Sequence, residues 1–305
     1  MKHVFIVNPI SGHGVGKKCV PIIESFCKFK ELDYEIIRSD YAGHAKEITQ
    51  TYFSKNNVCI YAVGGDGTAN EVLNGLNDGV QMAIIPAGSG NDFFASYSPK
   101  EFTLKEIIET TIDGVVVELD YGTANDFRFL NTVSVGFDAQ INYMMNVKYR
   151  NNRLIPSQMM YIYAALANVF KPKPLPVEFI VDGQKHEGVA LLLAVANGLR
   201  YGGGFKPAPM AKINDGLFDI CLIDFVKTGR IIRLLPVYYR GEHVNLDIAN
   251  FYMGSVIIIK AKETMFFNVD GEVMESKEMT ICIQRRKLNM RVSRASLKRL
   301  EYAED

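Results

Sequence analysis

Three short loops rich in glycine carry the residues of this sequence whose types suit phosphate chemistry. They read VNPISGHG (residues 7–14), GGDGTANE (64–71) and IPAGSGNDF (85–93). Each loop follows an aliphatic run and precedes a segment with helical spacing. Backbone N–H groups exposed at the start of a helix, assisted by the helix dipole, bind anions. Three such loops together predict a cradle for a polyphosphate group.

None of the loops fits the common nucleotide fingerprints. A P-loop needs a second glycine five positions after its first, but counting from Gly12 that position holds Lys17. The dinucleotide pattern GxGxxG lacks its last glycine in each of the three loops. A nucleotide bound here must therefore be held by another scheme.

The elements that position these loops alternate between strand and helix patterns. Aliphatic runs such as HVFIV, VCIYAV and MAIIP are separated by helical segments. This alternation predicts a parallel sheet with helices on both faces, in which ligands bind beyond the carboxyl ends of the strands. We expect residues 1–120 to form a doubly wound, Rossmann-like α/β domain with the three loops on its rim.

From about Val115 the pattern changes to β-rich runs bounded by turns, among them VVVELDYG, VEFIVDGQ, ALLLAVANG and TMFFNVDGE. Only two helices are expected in this part, around residues 156–170 and 228–239. The pattern favours an antiparallel β-sandwich domain over residues 121–285. The tail, residues 286–305, is expected to return to the first domain as a last strand or helix.

Composition narrows the class of protein. With 305 residues, 48% of them apolar, the chain is long enough for two domains. The 34 basic residues balance 34 acidic ones, so no overall charge argues for a nucleic-acid partner. The five scattered cysteines lack CxxC spacing, and the sequence begins without a secretion signal. We therefore expect a cytoplasmic protein without membrane-spanning helices.

The three loops resemble, in order and spacing, the diacylglycerol kinase catalytic domain shared by bacterial lipid kinases, sphingosine kinases and ceramide kinases. The matching residues are NPISG, GGDGTANEVLNG and PAGSGNDF. GGDGT also occurs in the related NAD kinases and phosphofructokinases, whereas the SGND element that follows it narrows the resemblance to lipid kinases. The resemblance continues through YGGG, NDGLFD and VDGE, and it implies a nucleotide domain similar to that of NAD kinases, followed by a β-sandwich lipid domain.

The resemblance implies a set of residues that contact ATP. By position they are Asn8, Ser11, Gly12, Ser39, Gly65, Gly67, Thr68 and Ser89. Ser39 stands where the family usually has threonine. For the glycines, a tight turn between strand and helix is the alternative explanation.

Three carboxylates are candidates for catalysis. We assign Asp66 and Asp92 to a catalytic Mg²⁺, held through water, although Asp92 would also suit the N-cap of a helix that begins at Phe93. Glu272 is the candidate general base for the acceptor hydroxyl. Its alternative is an ordinary hairpin turn, because the chain contains six Asp-Gly pairs, including one in VDGQ (residues 181–184) without the glutamate.

A second metal site is implied by the resemblance at NDGLFD. A structural Mg²⁺ would use the carboxylate of Asp215 with the backbone carbonyls of Lys212 and Leu217. As sequence alone, the segment is equally a turn before a strand.

These features together predict an ATP- and Mg²⁺-dependent lipid kinase. Diacylglycerol is the favoured acceptor, with phosphatidic acid as its product, and phosphatidylglycerol, a sphingoid base or another lipid alcohol are the alternative acceptors. We expect the lipid to approach Glu272 across an interdomain cleft, at a membrane surface. An apolar groove near YGGG and Tyr143–Tyr163 would hold the acyl chains, although a buried helix also explains that segment. An NAD kinase and a catalytically silent ATP- or lipid-binding regulator are the rival functions, and a homodimer is compatible with the sequence.

Overall fold

A computed structural model describes residues 1–98, 101–148 and 172–301. The chain divides into two compact units. The first contains residues 1–121 together with 285–305, and the second contains residues 122–284. One of the two expected helices of the second part, around residues 156–170, lies outside the described residues, as does most of Tyr143–Tyr163.

A parallel sheet forms the centre of the first unit, with its strands in the order β4–β3–β1–β2. The strands are β1 (Lys2–Val7), β2 (Tyr34–Arg38), β3 (Val58–Gly64) and β4 (Gln81–Pro86). All seven residues of β3 are buried, as its continuous apolar run predicts for a strand covered on both faces.

Helices cover both faces of this sheet. They are α1 (Val15–Phe29), α2 (His44–Gln50), α3 (Asp66–Gly75), α4 (Phe94–Tyr97) and α5 (Leu104–Ile112). Side chains alternate across a strand. Phe5 and Tyr61 accordingly pack with α1 and α5, while Ile6 and Ile60 point the other way and are buried as well. The predicted doubly wound α/β fold is confirmed.

The C-terminal segment completes the first unit. Strand β13 (Glu272–Val292) pairs with β4 in parallel at Met290 and Met82, and a 3-10 helix follows at Arg294–Leu300. The guanidinium of Arg299 donates to the carbonyl of Ser98 at 2.6 Å. The tail thus contributes both a strand and a short helix to this unit.

Antiparallel pairing dominates the second unit. After β5 (Val115–Ala124), which begins in the first unit, the strands are β6 (Phe127–Phe129), β7 (Thr132–Gly136), β8 (Leu175–Val181), β9 (Gln184–Ala196), β10 (Phe218–Asp224), β11 (Ala249–Gly254), β12 (Val256–Val269) and the first part of β13. The long strands β9 and β12 each pair with both β7 and β8. One core therefore lies among the strands, around Phe179, Phe218 and Phe267.

Two helices cover a second core of this unit. They are α6 (Phe137–Lys148) and α7 (Thr228–Arg240), and α7 confirms the helix expected at residues 228–239. Phe137, Ile231 and Tyr238 are buried there against β9 and β10. The predicted combination of an α/β domain with an antiparallel β-sandwich domain is thus confirmed. Within the described ranges, no helix is both long and apolar enough to cross a bilayer.

Candidate functional site

The three glycine-rich loops follow three neighbouring parallel strands, β1, β3 and β4, at their carboxyl ends. Loop one continues from β1 through a 3-10 turn at Ser11–His13 into α1. Loop two joins β3 directly to α3, and loop three joins β4 to α4. Because parallel strands end at the same edge of a sheet, all three loops gather on one rim.

Close backbone approaches bring the three loops into contact. A Cβ atom on Gly12, which has φ +55°, would lie 2.3 Å from the carbonyl oxygen of Ala87. A Cβ on Gly88 would lie 2.3 Å from the Cα of Gly65. The side-chain amide of Asn8 donates to Thr68 Oγ1 at 3.3 Å. Gly12, Gly65, Asn8 and Thr68 are therefore brought together, and the first two contacts require glycine.

The remaining residues of the predicted nucleotide set lie on the same rim. Ser39 follows β2, where its backbone N–H donates to the carbonyl of Val7 at 2.9 Å. Ser11 Oγ lies 3.7 Å from the Cβ position of Gly65. Gly67 and Ser89 are exposed, and a Cβ on Gly67 would meet no atom within 4 Å.

Asp66 links loop two to loop three. It is the first residue of α3, and its carboxylate accepts the backbone N–H of Phe93 at 3.3 Å. Burial raises the pKa of Asp66, while hydrogen bonds from the backbone of residues 91–93 partly oppose this shift. The backbone of loop three therefore holds this carboxylate in place, but its hydrogen bonds offset only part of the effect that burial has on the pKa.

Asp92 lies beside Asp66. A Cβ on Gly90 would lie 3.1 Å from Asp66 Oδ2 and 3.6 Å from Asp92 Oδ2. Asp92 is 6% exposed. Helix α4 begins at Phe94, its cap position is Phe93, and no side chain caps it. The alternative role of Asp92 as an N-cap is therefore wrong, and the two carboxylates are directed toward one place.

Glu71, a residue of loop two that sequence reasoning assigned no role, connects α3 to α2. Its carboxylate accepts the backbone N–H of Ala45 at 3.1 Å, in the first turn of α2. A negative charge near the start of a helix is favourable. Glu71 thus stabilises the helix that follows Ser39.

Glu272 lies in the second unit, at the first position of β13. It pairs with Val269 across a two-residue turn formed by Asp270 (φ 47°) and Gly271 (φ 97°). Two positive φ angles in succession are typical of the type I′ hairpin. Asp182 and Gly183 of the VDGQ hairpin have the same signs, with φ 45° and 87°. The Asp-Gly pair therefore makes a hairpin in both places, and the glutamate distinguishes them.

The carboxylate of Asp270 fixes the Glu272 hairpin to the chain before β7. It accepts the backbone N–H groups of Leu130, Asn131 and Thr132 at 2.6, 2.9 and 2.9 Å. All three donor residues are almost fully buried. This side chain is far more constrained than an ordinary turn residue.

A second set of hydrogen bonds holds the other side of the turn. Asn142 of α6 donates to Asn268 Oδ1 at 2.7 Å and to the carbonyl of Gly271 at 2.8 Å. Asn268 in turn donates to Asp138 at 2.9 Å, and Asp138 also accepts from the hydroxyl of Ser134. Sequence reasoning missed these residues, because nothing local marks a buried asparagine as part of a network.

Asp138 is also the polar residue in the wall of an otherwise apolar cavity of about 30 Å³. The cavity lies between α6, α7 and the YGGG segment, whose Tyr201 lines it together with Phe205. Its remaining lining residues are Phe137, Ile141, Leu191, Leu192, Ile231, Leu234, Leu235 and Tyr238. The hydrogen bonds that hold the Glu272 turn, from Asn142 through Asn268 to Asp138, therefore extend to the wall of this cavity.

The predicted second metal site lies before β10. The carboxylate of Asp215 accepts the backbone N–H of Leu217 at 3.0 Å, and Lys212 is exposed. Burial, followed by the charge of Asp215, raises the pKa of Asp219 to about 6. Across the part of the chain that the structure describes, no group of three or more His, Cys, Asp or Glu side chains is arranged to hold a metal ion.

Comparison with known proteins assigns the family. Residues 2–124 match the diacylglycerol kinase catalytic domain, and residues 131–292 match the YegS C-terminal NAD kinase beta sandwich-like domain. The chain is 30% identical over 273 residues to a diacylglycerol kinase of Bacillus subtilis, covering 88% of each chain. It is 30% identical over 250 residues to a diacylglycerol kinase of Mycobacterium tuberculosis, covering 79% of each.

A solved structure agrees with the sequence relatives. The crystal structure of a diacylglycerol kinase from Bacillus anthracis superposes with a TM-score of 0.71 at 25% identity, covering 95% of this chain and 96% of that one. The same family is indicated by both domain matches, by the sequence relatives and by this solved structure. It is the family that the three loops resemble. The chain belongs to the diacylglycerol kinase family and is a lipid kinase.

Proposed function

We propose that this lipid kinase transfers the γ-phosphoryl group of ATP to the free hydroxyl of diacylglycerol and forms phosphatidic acid, in a Mg²⁺-dependent reaction at a membrane surface. The observation that carries the proposal is the rim of the first unit. Three backbone loops meet there through glycines, and two carboxylates converge beside them. Phosphoryl transfer asks the protein mainly for positioned phosphates, charge neutralisation and a base.

The residues of the rim fit a nucleotide phosphate chain. Gly12 and Gly65 let the loops approach one another closely, and Gly67 is exposed in the first turn of α3 with open space where a Cβ would stand. The backbone N–H groups of these turns are proposed to donate to the phosphate oxygens. Hydroxyl and amide groups of Asn8, Ser11, Ser39, Thr68 and Ser89 would add neutral hydrogen-bond donors. Such neutral donors would bind phosphate oxygens without adding the positive charge of a lysine.

Asp66 and Asp92 are the residues that would hold Mg²⁺, in part through water. Mg²⁺ takes oxygen ligands and usually binds only one or two carboxylates, because it keeps several water molecules in its coordination shell. Two converging carboxylates are therefore a suitable protein contribution. The raised pKa of Asp66 supports this assignment, since a bound cation would favour the ionised carboxylate that burial disfavours. When bound, the ion would neutralise charge on the transferred phosphoryl group.

Glu272 is the proposed general base. It would accept the proton of the acceptor hydroxyl while the hydroxyl oxygen forms its bond to the γ-phosphorus and the bond from that phosphorus to the ADP oxygen breaks. Its side chain is exposed, while the turn beside it is fixed through Asp270 and Asn142. An exposed carboxylate on a fixed turn suits a group that must meet a substrate.

The apolar cavity beside Asp138 is the proposed entrance for the acyl chains. At about 30 Å³ it holds little more than one small group, so a chain requires outward movement of the side chains from α7. The loop at residues 212–217 is proposed to hold a second Mg²⁺ through Asp215, with the carbonyls of Lys212 and Leu217. Burial and then the nearby charge of Asp215 raise the pKa of Asp219, and a cation bound there would offset both effects.

A radiolabel transfer assay tests the function. The purified protein is incubated with γ-labelled ATP and Mg²⁺, and the acceptors are diacylglycerol, phosphatidylglycerol, a sphingoid base and NAD, each in a separate reaction. The Asp66→Asn variant serves as the blank. Label in an organic-extractable product formed from diacylglycerol supports the proposal. Label on another lipid changes the acceptor, label on NAD favours the NAD kinase alternative, and no label on any acceptor favours a silent regulator.

A further inference from the structure

Helix α7 has an inner and an outer face of different chemistry. Ile231, Leu234 and Tyr238 point inward and line the apolar cavity. The outer face carries the exposed cations Arg230, Arg233 and Arg240 and the exposed apolar side chains of Ile232 (44%) and Tyr239 (48%). No Asp or Glu occurs between Asp224 and Glu242. The helix therefore combines a basic outer face with large apolar groups left in water.

The segment after YGGG extends this surface. Phe205 meets the ring of Tyr239 edge-on, with centroids 5.2 Å apart, and Lys206 donates to the carbonyl of Arg240 at 3.3 Å. A Cβ on Gly241 would lie 2.7 Å from the ring of Pro209, so the next residue, Met210, lies near the end of α7. Met210 is 78% exposed. A third large apolar side chain thus adjoins the basic helix, after Ile232 and Tyr239.

The charges of this surface are unbalanced. Arg230 pairs with Asp247 at 2.5 Å, and Arg240 pairs with Glu242 at 2.7 Å. For Arg233 and Lys227, the described residues include no ion-pair partner. With Lys206, five cations face two carboxylates here, so the surface keeps a net positive charge in a protein whose total formal charge is zero.

We propose that the outer face of α7, together with Met210, is the surface by which this protein docks on an anionic phospholipid bilayer. Helices that lie in the interface combine cations for the headgroups with apolar side chains that enter the acyl boundary. The inner face of the same helix forms a wall of the apolar cavity. Docking through α7 places the cavity next to the phase from which its acyl chains come, and this argument rests on the proposed function.

Vesicle sedimentation tests the surface in the absence of ATP. Wild-type protein is mixed with vesicles of phosphatidylcholine alone or of phosphatidylcholine with phosphatidylglycerol. The test variant is Ile232→Asp/Arg233→Glu. A matched control, Lys28→Glu/Phe29→Asp, makes the same kinds of change at the end of α1, where Phe29 is 81% exposed. We expect the wild type and the control to sediment with the anionic vesicles and to be released by salt, because salt screens exposed charges.

The test variant is expected to lose about tenfold or more in its partition coefficient. Sedimentation of the test variant equal to that of the wild type would overturn the proposal, as would an equal loss in the control. Binding of the wild type to neutral vesicles as tightly as to anionic ones would also overturn it.

A second measurement separates docking from chemistry. Both variants receive a short-chain diacylglycerol that stays monomeric in water, with γ-labelled ATP. The proposal expects wild-type transfer to this acceptor by the test variant, and reduced transfer only to diacylglycerol in anionic vesicles. Loss with the monomeric acceptor too would mean damage to the cavity and would contradict a docking role. If the wild type labels no lipid at all, the proposed function fails while the sedimentation result still decides the docking surface.

Discussion

The carboxylate of Asp66 accepts the backbone N–H of Phe93 at 3.3 Å, so a residue of loop two fixes the end of loop three. An Asp66→Asn change keeps an acceptor oxygen for this bond and removes the negative charge. We expect phosphoryl transfer to fall by about a hundredfold or more, because charge stabilisation is usually the largest single contribution to catalysis. The melting temperature should change little.

The control for Asp66→Asn is Asp78→Asn, an exposed aspartate in the turn before β4. It should transfer label like the wild type. Equal activity in Asp66→Asn and Asp78→Asn would remove Asp66 from the reaction.

Replacing Glu272 with Gln should separate binding from turnover. We expect ATP affinity to be unchanged, while kcat falls by at least about a hundredfold, the contribution typical of a general base. Stability should change by no more than about 0.5 kcal/mol, because the side chain is exposed. Nucleotide binding by calorimetry and label transfer measure the two effects. Glu187→Gln, another exposed glutamate in the same unit, is the control, and unchanged turnover in Glu272→Gln would refute its role as base.

The two Asp-Gly hairpins should differ sharply in their contribution to stability. Asp270→Ala leaves three buried backbone N–H groups without an acceptor, which we expect to cost about 3 kcal/mol or more in the free energy of unfolding. Asp182→Ala frees the N–H groups of Ser255 and Val256 where water can replace the carboxylate, so about 1 kcal/mol is expected. Urea unfolding of both variants gives the comparison, and equal losses would contradict it.

Asn142 should act as a positioning residue for Glu272. Asn142→Ala removes the bonds to Asn268 and Gly271 and leaves the carboxylate of Glu272 in place. We expect kcat to fall by about tenfold, with the KM for ATP unchanged, because the turn can then move. Gln, which keeps the amide donor, should restore part of the rate. A fall in thermal stability with an unaltered kcat would indicate a purely structural role.

Acid should destabilise the first unit partly through His3. Burial, followed by the charge of Arg291, lowers the pKa of His3 from 6.5 to about 4. The folded protein therefore keeps His3 neutral between these pH values, while the unfolded chain binds a proton, so stability is lost as the pH falls through this interval. The free energy of unfolding should decrease less between pH 6.5 and 4 in His3→Gln. Parallel curves for the two proteins would refute this contribution.

The rim of the first unit was predictable because its signals are local. Glycines between an apolar run and a helical pattern place a backbone loop at the end of a strand, and Gly12, Gly65 and Asp66 follow that rule. The convergence of Asp66 and Asp92 follows from the neighbouring positions of β3 and β4. Local spacing wrongly allowed Asp92 as an N-cap, because it gives no information about where α4 begins.

The support of Glu272 was not predictable from spacing. Asp270 binds residues about 140 positions earlier in the chain, and Asn142 binds Gly271 over 129 positions. The sequence around Asp182 carries the same turn signal with different distant partners. Turn chemistry is local and specifies the hairpin, whereas its anchoring depends on tertiary contacts that no short pattern encodes.

The first unit is assembled from both ends of the chain, and this orders its folding during synthesis. While the ribosome makes residues 122–284, the edge of β4 that later pairs at Met290 is open to water and to other strands. The α/β unit gains this pairing only after residues 285–292 have emerged, so we expect the nascent N-terminal portion to keep that edge exposed for longer than a contiguous domain would. The middle unit, in contrast, is contiguous and free to fold first.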